Sequence, residues 1–202
     1  VEGAVDSDVV DEVVAALRSG GAVVLPTDTV YGLAALPGDR GATDRLFALK
    51  GRAAGVPIAV LCASREQALG LTEDAQDSVV AAVTARWWPG PLTLVLRRRA
   101  GLGLHLGGSD ATIGLRVPDH ELVRAVAQQV GPLATTSANR HGEPPPATAA
   151  EATAALGSGV ALVVDGGRLG AMASTVIDTT TRPWTVLRHG AIDPDEILSM
   201  GR

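Results

Sequence analysis

The chain has 202 residues, 46% of them hydrophobic and 19% charged, with a formal net charge of −5. That size supports one domain, or at most two small ones, around a core that needs no covalent or metal staple. The composition excludes disorder for the bulk of the chain, and the negative balance argues against extended polyanion binding while leaving room for a local basic pocket.

In chain order, Val9, Val10, Val13, Val14 and Leu17 recur at helical spacing, and Gly20-Gly21 stops that helix. Residues 22–25 form a short apolar run closed by Pro26, which predicts a buried strand. A helix is expected over 43–49 with Leu46, Phe47 and Leu49 inward, then a strand over 57–61. Residues 74–88 read as one helix, closed by Pro89-Gly90-Pro91. Strands follow at 92–96 and 112–117, a helix at 119–130, and a strand at 132–136. Thr148 with Glu151 forms a capping box for the next helix, and a strand is expected at 160–164. Strands at 175–178 and 184–188 precede a terminal helix at 194–200. This alternation predicts a single α/β domain over 1–202, with an open, twisted, mixed sheet flanked by helices.

No apolar run approaches the ~18 residues of a membrane span. The first residues, Val1-Glu2-Gly3-Ala4-Val5-Asp6, lack the basic start and apolar stretch of a signal peptide, so a cytoplasmic protein without membrane contact is expected. Cys62 is the only cysteine, and the histidines at 105, 120, 141 and 189 show no paired ligand spacing. A disulfide framework and a zinc site are therefore not expected.

The polar residues cluster. Thr27-Asp28-Thr29 follows the first strand, Thr135-Thr136-Ser137-Ala138-Asn139 follows another, and Lys50-Gly51-Arg52 follows a helix. Loops that leave strand ends are where open α/β sheets bind ligands, and hydroxyls beside cations suit a polar, anionic one. Lys50 is the only lysine among 17 basic residues. A compact ammonium next to the Arg52 guanidinium is a good clamp for a polyphosphate, whereas such a pair taken alone is more often a solvated loop. Neither a Walker-A loop nor a complete dinucleotide fingerprint is present. Arg116 lies inside the apolar run Ile113-Gly114-Leu115-Arg116-Val117, so it must meet a carboxylate or an anionic ligand.

In this order and spacing the segments resemble the YrdC-like family, the threonylcarbamoyl-AMP synthases. The matching stretches begin with Leu25-Pro26-Thr27-Asp28-Thr29-Val30-Tyr31-Gly32-Leu33 and Lys50-Gly51-Arg52 with Pro57-Ile58. Trp88-Pro89-Gly90-Pro91-Leu92-Thr93, Gly114-Leu115-Arg116-Val117-Pro118 and Thr136-Ser137-Ala138-Asn139 continue them. Ser174-Thr175-Val176-Ile177-Asp178 and Leu187-Arg188-His189-Gly190 complete the set. The resemblance implies the single-domain form of the fold, with its sheet around a deep basic cavity. It also implies a nucleotidyltransferase that joins L-threonine, bicarbonate or carbon dioxide, and ATP into threonylcarbamoyl-AMP and pyrophosphate. Magnesium would arrive on the ATP phosphates, with no protein metal site. A downstream transferase would pass the product to tRNA.

By the same resemblance, Lys50 and Arg52 are the catalytic cations. They would bind ATP together with Thr112, Ser137, Asn139 and Arg188. Arg116 would take the threonine carboxylate from a solvent-filled pocket, with Thr27, Thr29, Tyr31, Thr135 and Ser174 around the amino acid. Leu61 stands where many members carry a histidine, and Ala53 where a proline is usual. The alternative is a non-catalytic RNA-binding member of the same fold, for which Arg97-Arg98-Arg99 is the only basic run.

Overall fold

A computed structural model describes residues 6–53, 55–170 and 172–201; residues 1–5, on which most of the N-terminal reading rests, lie outside them. The Asp6 carboxylate accepts from the Asp8 amide and starts α1 (Ser7–Arg18), whose buried stripe is Val10, Val13, Val14 and Leu17. The other helices are α2 (Arg40–Lys50), α3 (Arg65–Leu69), α4 (Ser78–Trp87), α5 (Glu121–Val130), α6 (Ala149–Leu156) and α7 (Pro194–Leu198). The strands are β1 (Val23–Leu25), β2 (Gly32–Ala35), β3 (Ala59–Leu61), β4 (Leu92–Arg97), β5 (Thr112–Arg116), β6 (Leu133–Ser137), β7 (Leu162–Val163), β8 (Thr175–Asp178) and β9 (Thr185–Arg188). They form one sheet in the order β7-β1-β2-β6-β3-β5-β4-β8-β9. It is mixed: β1/β7, β3/β5 and β4/β8 run parallel, and the other neighbours antiparallel.

Alternation along the strands sends side chains to two faces. On one face Val24, Leu33, Val60, Leu94, Leu115 and Ile177 join Leu46 and Phe47 of α2, Val80 and Val83 of α4, and Ile197 of α7 in one core. On the other, Val23, Leu25, Ala34, Leu61 and Leu133 pack against α1 and α5. That cluster takes its strand residues from β1, β2 and β6 and reaches β3 only at Leu61; it includes none from β5, β4 or β8.

Three elements differ from expectation. Residues 74–88 are not one helix: Asp74–Gln76 is a 3-10 turn, and Asp77 turns extended to cap α4 through the Val79 and Val80 amides. Asp74 is pinned elsewhere, because its carboxylate accepts from the Arg97 amide and side chain. The strand β2 and the short α3, capped by Ser64, were not anticipated.

Candidate functional site

The strand register builds the site. Arg116 pairs with Leu61, Thr93 with Val176, and Val176 with Arg188. The β4/β5 register continues from Leu94↔Leu115 to set Thr93 beside Arg116. One row across β3, β5, β4, β8 and β9 thus carries both arginines on one face. One step along, Thr135 pairs with Ala59, and Gly114 with Val95. Small side chains there leave a hollow, and a cavity of about 390 Å³ lies over it. That volume is in the range of small-molecule sites.

Thr27, Thr29, Arg52, Thr112, Arg116, Thr135, Ser137, Ser174 and Arg188 all line this cavity. Thr93, Gly114, Val95, Val176 and Leu187 also line it; the sequence assigned none of them a role, although all but Val95 lie in the matching stretches.

Arg116 is 5% exposed and does not stand in open solvent. Its Nη2 donates to Asp28 Oδ1 at 2.5 Å, Nη1 to Thr29 Oγ1 at 3.0 Å, and Nε to the Gly90 carbonyl at 3.0 Å. The Asp28 side chain is itself only 13% exposed, so the pair is shielded. Burial pulls the guanidinium below its ordinary value, and Asp28 works against that. The expectation of an arginine facing a solvent-filled pocket is thus corrected: Arg116 lines the cavity while paired to a carboxylate. The remaining N–H groups of the fork are free to meet a ligand, since guanidinium carries more donors than these bonds use.

Arg188 is held differently. Its Nε donates to the Ser174 carbonyl and its Nη2 to Ser174 Oγ, both at 2.8 Å. Ser174 Oγ in turn shares a 2.9 Å hydrogen bond with Thr93 Oγ1. Partial burial, then Arg116 and Arg52, lower the Arg188 pKa. Arg52 donates to the Val56 carbonyl at 3.1 Å and to the Pro57 carbonyl at 2.7 Å. Its pKa is lowered by burial.

Lys50 is not on a solvated loop. It ends α2, is 2% exposed, and Gly51 caps the helix in the left-handed region at φ 62°. Its ammonium donates to the Ser137 carbonyl at 2.6 Å, Ser137 Oγ at 3.1 Å and Asn139 Oδ1 at 2.7 Å. Those acceptors occupy all the donors that an ammonium has. Burial, then the charge of Arg52, lower its pKa to about 8, against a smaller rise from Glu143. Asn139 completes the brace by donating to the Arg140 and Glu143 carbonyls. Neither Lys50 nor Asn139 lines the cavity; they hold Ser137, which does.

Tyr31 also departs from expectation. It is fully buried away from the cavity, donates to the Gly167 carbonyl at 2.6 Å and accepts from the Gly166 amide at 3.0 Å. It anchors the segment that leads to Ser174. Thr27 builds the turn it sits in, with Oγ1 accepting from the Thr29 and Val30 amides.

The family model described as Sua5, yciO and yrdC, telomere recombination, matches residues 15–190. A relative from Mycobacterium tuberculosis is 38% identical over 188 residues, covering 93% of this chain and 86% of its own. The threonylcarbamoyl-AMP synthase of Chromohalobacter salexigens is 37% identical over 175 residues, covering 85% of this chain and 93% of its own. The crystal structure of Pyrococcus abyssi Sua5 complexed with L-threonine has a TM-score of 0.88 and 33% identity. That match covers 98% of this chain but 58% of the Pyrococcus chain, so this chain spans less than two thirds of that relative.

Proposed function

The chain belongs to the Sua5, YciO and YrdC family, and from that premise we propose how its cavity does the work of a threonylcarbamoyl-AMP synthase. Threonylcarbamoyl-AMP synthesis is its activity, as in the relatives that match it along nearly their whole length. The observation that carries the division of the site is its charge. Arg52, Arg116 and Arg188 face one cavity, and Asp28 is the only carboxylate among the described residues bonded to any of them. The surplus of positive charge in a partly desolvated space calls for anionic ligands.

We assign the L-threonine carboxylate to the free N–H groups of Arg116, with Thr29, Thr135 and Ser174 around the amino acid. ATP takes the other cations: Arg52 and Arg188 neutralise its phosphates, Ser137 donates to them, and Thr112 lines the nucleotide. Lys50 and Asn139 act from behind Ser137. Magnesium is assigned to the triphosphate and enters with the substrate. The threonine amine loses a proton and forms an N–C bond to carbon dioxide drawn from bicarbonate, giving a carbamate. A carbamate oxygen then forms a bond to the α-phosphorus, and the bond to pyrophosphate breaks. Such a transfer depends on alignment and charge neutralisation more than on a general base, which suits a site built of guanidiniums and hydroxyls. The mixed anhydride is the class of product that a transferase would pass to tRNA, and the reaction belongs with cytoplasmic tRNA modification.

The RNA-binding alternative has less support. Of its basic run, Arg97 is paired to Asp74, and Arg98 is 8% exposed and paired to Asp110. The test is pyrophosphate release with each of L-threonine, bicarbonate and MgATP omitted in turn. The expected result is release only with all of them, and much less when L-valine replaces L-threonine, because the hydroxyl loses its partners. Equal release without threonine would overturn the reading.

A further inference from the structure

Gly114 sits inside β5, where a glycine weakens a strand by about 0.5–1 kcal/mol relative to alanine. Neither backbone conformation nor packing among the described residues requires it. Its backbone is not in the left-handed region, and an added Cβ would meet Ala59 Cβ at 3.6 Å and Thr93 Cγ2 at 3.7 Å, ordinary contact distances. By contrast, Gly32 is needed for packing, since its Cβ would lie 2.9 Å from Thr135 Cγ2. A strand glycine with neither reason marks a place where something other than the protein approaches the backbone.

Strand alternation says where that place is. Thr112, Gly114 and Arg116 point to the same face, and all line the cavity. Arg116 stands at one end of that row and Thr112 at the other. From this we infer that the two substrates meet over Gly114, whose missing side chain leaves room for the junction between carbamate and α-phosphate. This rests on the functional reading above and adds the point of contact between its ligands. Gly114 acts by leaving space and is a positioning residue rather than a catalytic one.

The inference separates two kinds of binding. A methyl group at Gly114 should leave room for either ligand alone but not for both. The experiment is calorimetric titration of wild type and Gly114→Ala with L-threonine, with the α,β-methylene analogue of ATP, and with each after saturation by the other. In the wild type both should bind together. In Gly114→Ala each alone should bind within a few-fold of wild type, while the second should bind about 10- to 100-fold more weakly, the usual scale of overpacking by one methyl. The melting temperature should hold or rise, which a structural role for the glycine would not allow. Should Gly114→Ala fail to fold, Ala59→Val places bulk on the same hollow from β3 and should give the same mutual exclusion. Joint binding in the variant as in wild type would overturn the inference, and so would loss of one ligand even when offered alone. Failure of the wild type to bind threonine at all would instead sink the functional reading.

Discussion

Arg116 and Arg188 stand on one row of the sheet and face one cavity, yet they are anchored by opposite means. Arg116 is tied to a carboxylate, a hydroxyl and a carbonyl, and is nearly inaccessible. Arg188 lies on an edge strand and, among the described residues, is tied only to the carbonyl and hydroxyl of Ser174. Neutral acceptors orient a guanidinium without cancelling its charge, whereas Asp28 orients Arg116 and neutralises it. The first arrangement costs folding energy and leaves an unmet demand for an anion. The second is part of the fold and recognises by geometry, through the N–H groups it has left.

That contrast breaks most visibly at Arg116. Arg116→Met leaves the shielded Asp28 carboxylate without its partner, and the apo protein should lose about 3–5 kcal/mol in denaturant unfolding. The double substitution Asp28→Asn with Arg116→Met should recover much of that loss, because no buried charge is then left alone. Equal stability of Arg116→Met and wild type would show that the ion pair is idle.

Lys50 sharpens the comparison, being a cation anchored by neutral acceptors but fully inside. Its folded pKa of about 8 lies below the ordinary 10.5. Between those values the unfolded chain holds a proton that the folded one has released, so this group adds stability as pH rises through that window. The slope is at most about 1.4 kcal/mol per pH unit. Cys62 opposes it from pH 9 upward, since burial lifts its thiol from 9.0 to about 12 and the folded state then keeps the extra proton. The Lys50 contribution should therefore be read as the difference between wild type and Lys50→Met, measured by unfolding at pH 7, 8.5 and 10. Parallel profiles for the two proteins would contradict the assignment. Lys50→Met should also lower activity by releasing Ser137, with a larger effect on the KM for ATP than on that for threonine.

Tyr31 gives the smallest effect. Tyr31→Phe removes a hydroxyl that braces Gly166 and Gly167, at a cost of about 1 kcal/mol. Activity should survive with a raised KM for threonine, because Ser174 is held less firmly. An unchanged KM for threonine would remove Tyr31 from the account.

The sequence made the open α/β sheet, the cavity's three arginines and most of its hydroxyls legible, because short apolar runs, the polar clusters after them and the family's motifs are local signals. The strand β2 was not legible: Gly-Leu-Ala-Ala has little strand preference and is held by pairing to β1 and β6. Partners distant along the chain were also hidden. Asp28 and Arg116 lie 88 residues apart, and Tyr31 and Gly167 lie 136 apart. A lone tyrosine among hydroxyls looks like a site residue until its distant carbonyl is seen. Lys50 had a usable signal: a glycine after a helical run marks a helix end, and Lys50-Gly51 is such an end.

Arg188 supplies uncompensated charge while Arg116 supplies a braced fork, a difference that MgATP affinity and apo stability read together. MgATP is titrated into wild type and Arg188→Met, with the melting temperature of each recorded without ligand. Arg188→Met should keep or slightly raise its apo stability, within about 1 kcal/mol. It should bind MgATP about 10- to 100-fold more weakly, the loss expected from removing a charged hydrogen-bond partner. Unchanged MgATP affinity, or a stability loss as large as that of Arg116→Met, would contradict it.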